Sequence, residues 1–411
     1  MLKKILSTIF TKGLVALINL AILLISSKQL GVAVRGEVSL LILNIAIIQA
    51  INEIYTGYAL VHFIPKFSLK KVYQNGFLFS VFCIVLSYFI QLQFSSNIKE
   101  QLIHVTILSF VIILHSFHCV IILAKEKIKF YNFLNFYQPI ILLLVLLICV
   151  FIFNNKTYSS YLYGLYISFL SSLVISSVVF FSILKSNSYN KTVFNGVSII
   201  KNGFYNQLAN LSHILSNRFN FYLLATNAMI GVYSTSTTLI ESTLIISSST
   251  STIILSQIAN QKNENNARVV FLLSKICFLL STLLIIILLI IPPVFFTFLL
   301  GKDYNETKEI MLALSPGILF ISFSTIINHY FSGLGKQRLN AFANFSGLLT
   351  TILTSYYLID TYKVLGACYA TCLSYFVASI ILVFMFMKEN KLPFFSLFKI
   401  KNDLFLLKSI K

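Results

Sequence analysis

The sequence predicts an all-α polytopic membrane protein of about twelve transmembrane helices, arranged as two six-helix bundles around a central cavity. Three observations predict it. Hydrophobic residues make up 57% of the 411 and charged residues only 10%, with a mean hydropathy of +0.87, whereas a soluble globular domain is about one quarter charged. Apolar runs of the ~20 residues that a bilayer requires recur along the chain. The basic residues cluster in alternate loops, as the positive-inside bias demands.

The first span, near 6–26, follows the basic start MLKK. It has the outline of a signal peptide, but Lys12 interrupts it, it is long enough to span, and many spans follow, so it is expected to persist as the first helix. Spans near 38–62, 76–94, 102–123, 139–155 and 161–184 complete the first half. Those near 204–225, 231–256, 268–299, 310–331, 340–359 and 364–387 make the second. The seventh and eighth are the least hydrophobic, and the eighth reads GVYSTSTTLIESTLIISSSTSTIILSQI. Such hydroxyls suit helices packed among helices or lining water better than helices facing lipid.

With the N-terminus inside, the inner segments carry 21 Lys and Arg and the outer ones 7, and every inner segment is at least as basic as any outer one. A miscounted helix would scramble that order, so both termini are expected in the cytoplasm. The longest loop, 185–203, is inner and basic, and it divides the chain into a first bundle, 1–200, and a second, 201–411. Both halves then start inside, as parallel repeats would. LGV at 30–32 and IGV at 230–232 open the second helix of each half.

The same pattern excludes several functions. The net charge of +19 would suggest nucleic acid in a soluble protein, but here the charges sit in short breaks and the aromatics in the spans, so no nucleic-acid partner is expected. The six cysteines all fall in apolar runs and imply neither a disulfide framework nor a metal. No phosphate-binding loop is present, and GKQR at 335–338 lacks its glycine and hydroxyl. His115 and His118 share one face of helix 4, yet no carboxylate lies near them in that helix, which favours packed or water-facing histidines over a metal site. Asp303, Glu306 and Glu309 cluster in an outer loop whose lysines and short length mark a solvated surface.

Polar residues inside the spans are informative, because a charge at the bilayer centre costs about 3 kcal/mol on the gentler scale. In NGFYNQLANLSHILSNRFNF, residues 202–221, Asn206, Asn210, His213, Asn217 and Asn220 fall on one helical line. Helix 7 is therefore expected to turn an amide face toward an aqueous cavity between the halves. Gln49, Asn52 and Glu53 share a face of helix 2, with Glu53 near its middle, and Glu241 lies near the middle of helix 8. These two acids are candidates for taking up a proton or sodium ion; no other cofactor is expected. Arg218 lies in the outer part of helix 7, and Lys12 and Lys275 are candidate cavity cations that are close enough to span ends to snorkel.

SKQLGVAVRGEVSLL after helix 1, NRFNFYLLATNAMIGVYS between helices 7 and 8, GKDYNETKEIMLALSPGILF entering helix 10 and VLGACYATCLSYF opening helix 12 carry a resemblance. Together they resemble the Wzx-type O-antigen flippases, the polysaccharide-transport branch of the MATE-like exporter superfamily. The resemblance implies two six-helix bundles forming a V around a cationic cavity, in a bacterial inner membrane. It implies an undecaprenyl-pyrophosphate-linked oligosaccharide as cargo, moved by alternating access, with the polymerase and chain-length proteins of the pathway as partners. Arg218 stands where that family commonly has a basic residue. The alternatives are a drug or metabolite exporter of the same superfamily, or an integral-membrane O-antigen polymerase or ligase. The enzyme is disfavoured because such enzymes carry a long outer loop and none here is much longer than ten residues. The topology is testable with reporter fusions: fusions after residues 128, 190, 264 and 400 should report a cytoplasmic position and fusions after 97, 156 and 304 a periplasmic one. Any reversal refutes the twelve-span count.

Overall fold

A computed structural model describes residues 2–57, 60–64, 67–94, 99–186, 196–260 and 266–391. Several inner lysines of the charge count, Lys66, Lys191, Lys262, Lys399, Lys401, Lys408 and Lys411, lie outside these residues. Among the described residues every regular element is helical.

The helices are α1 (Leu2–Ile25), which runs into a π-helical turn, α2 (Val32–Thr56), α3 (Leu69–Phe94), α4 (Lys99–Ala124), α5 (Ile128–Leu147), α6 (Tyr158–Ser186) and α7 (Gly196–Arg218). Next comes α8 (Asn227–Glu241), continued through a 3-10 turn by Ile245–Asn260, then α9 (Asn266–Ile290) and α10 (Thr307–Gly333). The last helical stretch, Gln337–Glu389, has 53 residues and would measure about 80 Å if straight. Lys363, at φ 51° and ψ −122°, breaks it into α11 (337–362) and α12 (364–389). Nine helices among the described residues are long and apolar enough to cross a membrane, counting that stretch once. The other two segments, α7 and α8, are the ones the sequence marks as most polar. With α11 and α12 counted apart and α7 and α8 added, the long helical segments among the described residues number twelve.

The chain divides into two compact units, 1–207 and 208–411, so the division falls inside α7 and not at the loop before it. Each unit is organised around its fourth helix. In the first, α4 packs on α2, α3 and α6, while α5 packs on α1 and α6. In the second, α10 packs on both parts of α8, on α9 and on the α11–α12 stretch. Two apolar clusters fill the first unit, one around Val38, Leu108 and Leu146, the other around Phe117, Phe180 and Leu60. Phe271, Phe331 and Phe386 centre the cluster of the second.

Several helices bury small polar residues beside the apolar core and turn large apolar ones outward, unlike the helices of a soluble protein. On α6, Ser160, Ser168, Ser172 and Ser176 are fully buried while Ile167, Leu170, Val174 and Val178 are exposed. On α3 the exposed line is Leu78, Phe82, Val85 and Phe89. Hydroxyls return their protons to carbonyls a turn back, as Ser176 does to Leu173 (3.0 Å), or join helices, as Ser322 does to Ser247 and Ser281 at 2.7 Å each. Pro316 removes one N–H from α10, and the Leu312 carbonyl it frees accepts from Ser315 Oγ at 2.7 Å.

The α11–α12 reversal depends on Gly366, where an added Cβ would overlap the Leu358 carbonyl. Gly366→Ala should therefore lower stability by about 2 kcal/mol through overpacking. Thermal unfolding of the detergent-solubilised protein, followed with a thiol-reactive dye on its buried cysteines, should show the earlier transition, and an unchanged midpoint would refute the close approach.

Candidate functional site

In the first unit, polar groups converge on Glu53. Gly31 (φ 84°) and the extended Gly57 set the ends of α2, so the helix starts and stops about six residues earlier than the span expected at 38–62. Glu53 consequently lies in the last turn of α2 and not near its middle. Its Oε1 accepts from Gln49 Nε2 at 2.9 Å and from Ser116 Oγ at 3.4 Å, and its Oε2 accepts from Gln207 Nε2 at 3.4 Å. Gln207 reaches it because α7 crosses the end of α2 at a glycine: a Cβ on Gly203 would overlap the Ile54 carbonyl. Among the described residues, no cation pairs with Glu53.

A cavity of about 280 Å³ opens beside the carboxylate, lined among others by Gln49, His115, Ser116, Asn135 and Gln138. Pro139 lies inside α5 and has no N–H, which leaves the Asn135 carbonyl, four residues before it, without its helical partner. Gln138 Nε2 donates to Ser168 Oγ at 3.2 Å. The lining thus offers one carboxylate and several amides, a set that can hold a cation or a proton. Asn52, placed by the sequence on the same face, is fully buried and accepts from Thr56 Oγ1 at 2.7 Å and Ser80 Oγ at 3.4 Å. It joins α2 to α3.

In the second unit, α7 ends at Arg218 (φ −113°, ψ −3°) and gives way to a 3-10 turn, Phe219–Tyr222. Asn220 holds this break. Its Nδ2 donates to the Ala367 carbonyl at 3.0 Å and to Thr371 Oγ1 at 2.9 Å, and its Oδ1 accepts from Ser355 Oγ at 2.5 Å. Tyr233 adds a hydroxyl contact to Thr371 at 2.8 Å, and Thr351 Oγ1 donates to the Ser216 carbonyl at 3.0 Å. With the break fixed, Asn217 Nδ2 donates to Glu241 Oε1, and Tyr375 OH donates to the same oxygen at 3.4 Å. The Arg218 guanidinium lies close enough to attract the Glu241 carboxylate. His213 stacks on the Tyr375 ring with 6.0 Å between centroids.

The structure therefore brings Arg218, Asn217, His213 and Glu241 together. It divides the amide line of α7: Asn210 and His213 are exposed, Asn206 is half-buried in the first unit, and Asn217 and Asn220 are buried in bonds within the second. Lys275 is 5% exposed and lies over the Phe271 ring, 4.9 Å from its centroid, so it packs within the second unit's core and not on an open cavity face. Lys12 is exposed on α1. Gln207, Ser116, Asn135, Gln138 and Tyr375 escaped the sequence reading. Gln207 lies about 100° off the amide line, and Ser116 lies between the two histidines singled out on α4, which was the one available signal.

Residues 204–357, from α7 into α11, match the MatE family model. The structure resembles lipid II flippase MurJ in an inward closed conformation, with a TM-score of 0.69 and 16% identity over 100% of this chain and 92% of that one. It resembles the MATE transporter VcmN of Vibrio cholerae with a TM-score of 0.68 and 12% identity over 97% and 98% of the two chains. An inward-facing multidrug resistance MATE family transporter of the MOP superfamily gives 0.70 and 13%, over 92% and 94%. In sequence, 84 residues are 33% identical to the capsular polysaccharide biosynthesis protein CapF of Staphylococcus aureus, a match covering 20% of this chain and 21% of that protein. The chain is thus a multi-pass membrane protein with the helical fold shared by MATE transporters and MurJ, and its second half carries a MatE segment.

Proposed function

We propose that this protein is a flippase that moves an undecaprenyl-pyrophosphate-linked oligosaccharide, an O-antigen or similar repeat unit, from the inner to the outer leaflet by alternating access. The observation that carries the reading is the half-buried Arg218 set beside Glu241, Asn217 and Tyr375 at the break of α7. A planar guanidinium pairs with phosphate oxygens in bidentate fashion. Asn206, Asn210 and His213 offer donors and acceptors to sugar hydroxyls, while the polyprenyl tail stays in lipid. The likeness to a lipid II flippase over the whole chain and the short likeness to a capsular polysaccharide protein support a lipid-linked sugar as cargo. Glu53 or Glu241 takes up a proton or sodium ion during the cycle. The protein would work in a bacterial inner membrane with both termini in the cytoplasm, beside the polymerase and chain-length proteins of its pathway.

One observation favours a second reading. The Glu53 cavity has a carboxylate with neutral donors only and is flanked by Tyr131 and Phe169, which would suit an organic cation exported by a drug or metabolite transporter of the same fold.

Deleting the gene in the source bacterium and running its lipopolysaccharide on a gel separates these readings. Core without any O-unit, rescued by the gene, is the outcome expected of a flippase. A single O-unit on core would indicate a polymerase, and an unchanged ladder an exporter of another molecule. Arg218→Ala at normal expression should lower O-unit display roughly tenfold or more, the loss of a charged hydrogen bond worth about 1.5–3 kcal/mol; full display would remove its role. Collapsing the proton and sodium gradients should stop transport, and an unchanged rate would remove ion coupling.

A further inference from the structure

Two buried histidines of the first unit take no part in the reading above. His115 and His118 are 8% and 2% exposed on α4, and among the described residues no group of three or more His, Cys, Asp and Glu is placed to hold a metal ion. Their ring nitrogens are engaged in a definite order. His115 Nδ1 lies 3.3 Å from Ser176 Oγ, the same hydroxyl lies 3.4 Å from His118 Nδ1, and His118 Nε2 lies 3.3 Å from the Tyr73 hydroxyl. Ser177 Oγ stands as a second neighbour at 3.4 Å from His118 Nδ1. At the other end His115 Nε2 is 3.6 Å from the Cys119 thiol, and His115 and Cys119 both line the cavity that contains Glu53.

This order has two accessible ends and a sealed middle. Ser176 is fully buried and His118 nearly so, whereas Tyr73 is half-buried in the first turns of α3, beside the exposed Lys70, Lys71 and Gln74. His118 turns one ring nitrogen to each neighbour, the arrangement in which an imidazole takes a proton on one side and releases one from the other. Packing fixes it there. His118 stacks on Phe180 with centroids 4.6 Å apart and planes 7° apart, and the Tyr73 ring lies 4.4 Å from Phe180 and 5.4 Å from Phe117. Filling this space with apolar side chains would avoid the cost of burying polar groups, so packing alone does not account for four of them in series.

We propose that His115, Ser176, His118 and Tyr73 form a proton path between the Glu53 cavity and the end of the first unit that carries Lys70 and Lys71. The proposal rests on the reading of Glu53 as the ion-coupling group and specifies the ion as a proton. A proton released from the Glu53 carboxyl crosses the cavity to His115 Nε2. The Nδ1 proton of His115 passes to Ser176 Oγ, and the serine's own proton, which rests on the Leu173 carbonyl at 3.0 Å, swings toward His118 Nδ1 and passes to it. The Nε2 proton of His118 then passes to the Tyr73 oxygen, whose hydroxyl proton leaves to water. One proton enters and one leaves, and each imidazole is left in its other tautomer. The titratable groups facing the path are Glu53, Cys119 and Tyr131 around the cavity, each histidine toward the other, and Tyr73 at its far end.

The test uses the full chain in lipid vesicles, with protons released from a photolysed caged acid as the probe and time-resolved infrared absorption as the readout. The protonated-carboxyl band that disappears in Glu53→Gln belongs to Glu53. Tyr73→Phe and the double variant Ser176→Ala, Ser177→Ala remove hydroxyls and leave the rings stacked. They should slow the rise of that band roughly tenfold or more while leaving its amplitude and the thermal midpoint unchanged. An unslowed rise in both would overturn the path and leave proton uptake at Glu53 standing. A spectrum in which Glu53→Gln removes no band would overturn the coupling role of Glu53 and the path with it.

Discussion

Hydrocarbon offers no hydrogen bonds, and that constraint governs the rest of this structure. Each backbone group must be satisfied within the protein, so the described chain is helical throughout, and polar side chains turn inward. The serine line of α6 and the hydroxyl pairs around Ser322 are the consequence. They let helices approach closely, and most of these hydroxyls, such as Ser168, Ser176 and Ser322, bond a carbonyl or another hydroxyl. Where the helix itself fails, at Pro316 or at the end of α7, a side-chain hydroxyl donates to a backbone carbonyl, Ser315 to Leu312 and Thr351 to Ser216. Irregular backbone at membrane depth persists where such partners, or a cavity as at Asn135, can take its polar groups.

The break in α7 illustrates how a structural requirement positions a chemical group. A straight helix would carry Asn217, Arg218 and Asn220 onward along its surface. The bonds from Asn220 to Ala367, Thr371 and Ser355 instead hold the 3-10 turn against α11 and α12, and this leaves Arg218 at the helix end beside Glu241. In the first unit the corresponding device is steric. Gly203 lets α7 lie against the last turn of α2, and only at that separation can Gln207 reach the Glu53 carboxylate.

Hydrophobic periodicity and lysine placement made the helical class and the run of segments legible, because both are summed over many residues. The polar character of α7 and α8 was legible for the same reason. The ends of α2 were misplaced, since an apolar run does not show where a glycine will stop a helix; Gly31 and Gly57 were visible but carried no weight beside the run. Asn220 was placed with the amide line on period alone. Its partners lie about 135 to 151 residues away in sequence, and no local pattern tells an amide that bonds them from one that stays exposed. Gln207 was hidden for the opposite reason: it lies off the line, and its importance comes from the approach of another helix.

The two acids differ in electrostatic setting, and the difference bears on how a cycle could be driven. Glu53 is surrounded by neutral donors, so a proton or cation that binds there removes a net negative charge from the first unit. Glu241 lies within electrostatic reach of the Arg218 guanidinium, which attracts its carboxylate. An anion that engages the guanidinium competes with Glu241 for it, and a proton on Glu241 lifts that competition. On the proposed function, anion binding and proton binding at that site would therefore favour one another, and linkage would make the effect reciprocal. Near a lone arginine in water the gain would be small. In a half-buried setting of low dielectric it grows, since the same charges interact several times more strongly there than at a wet surface.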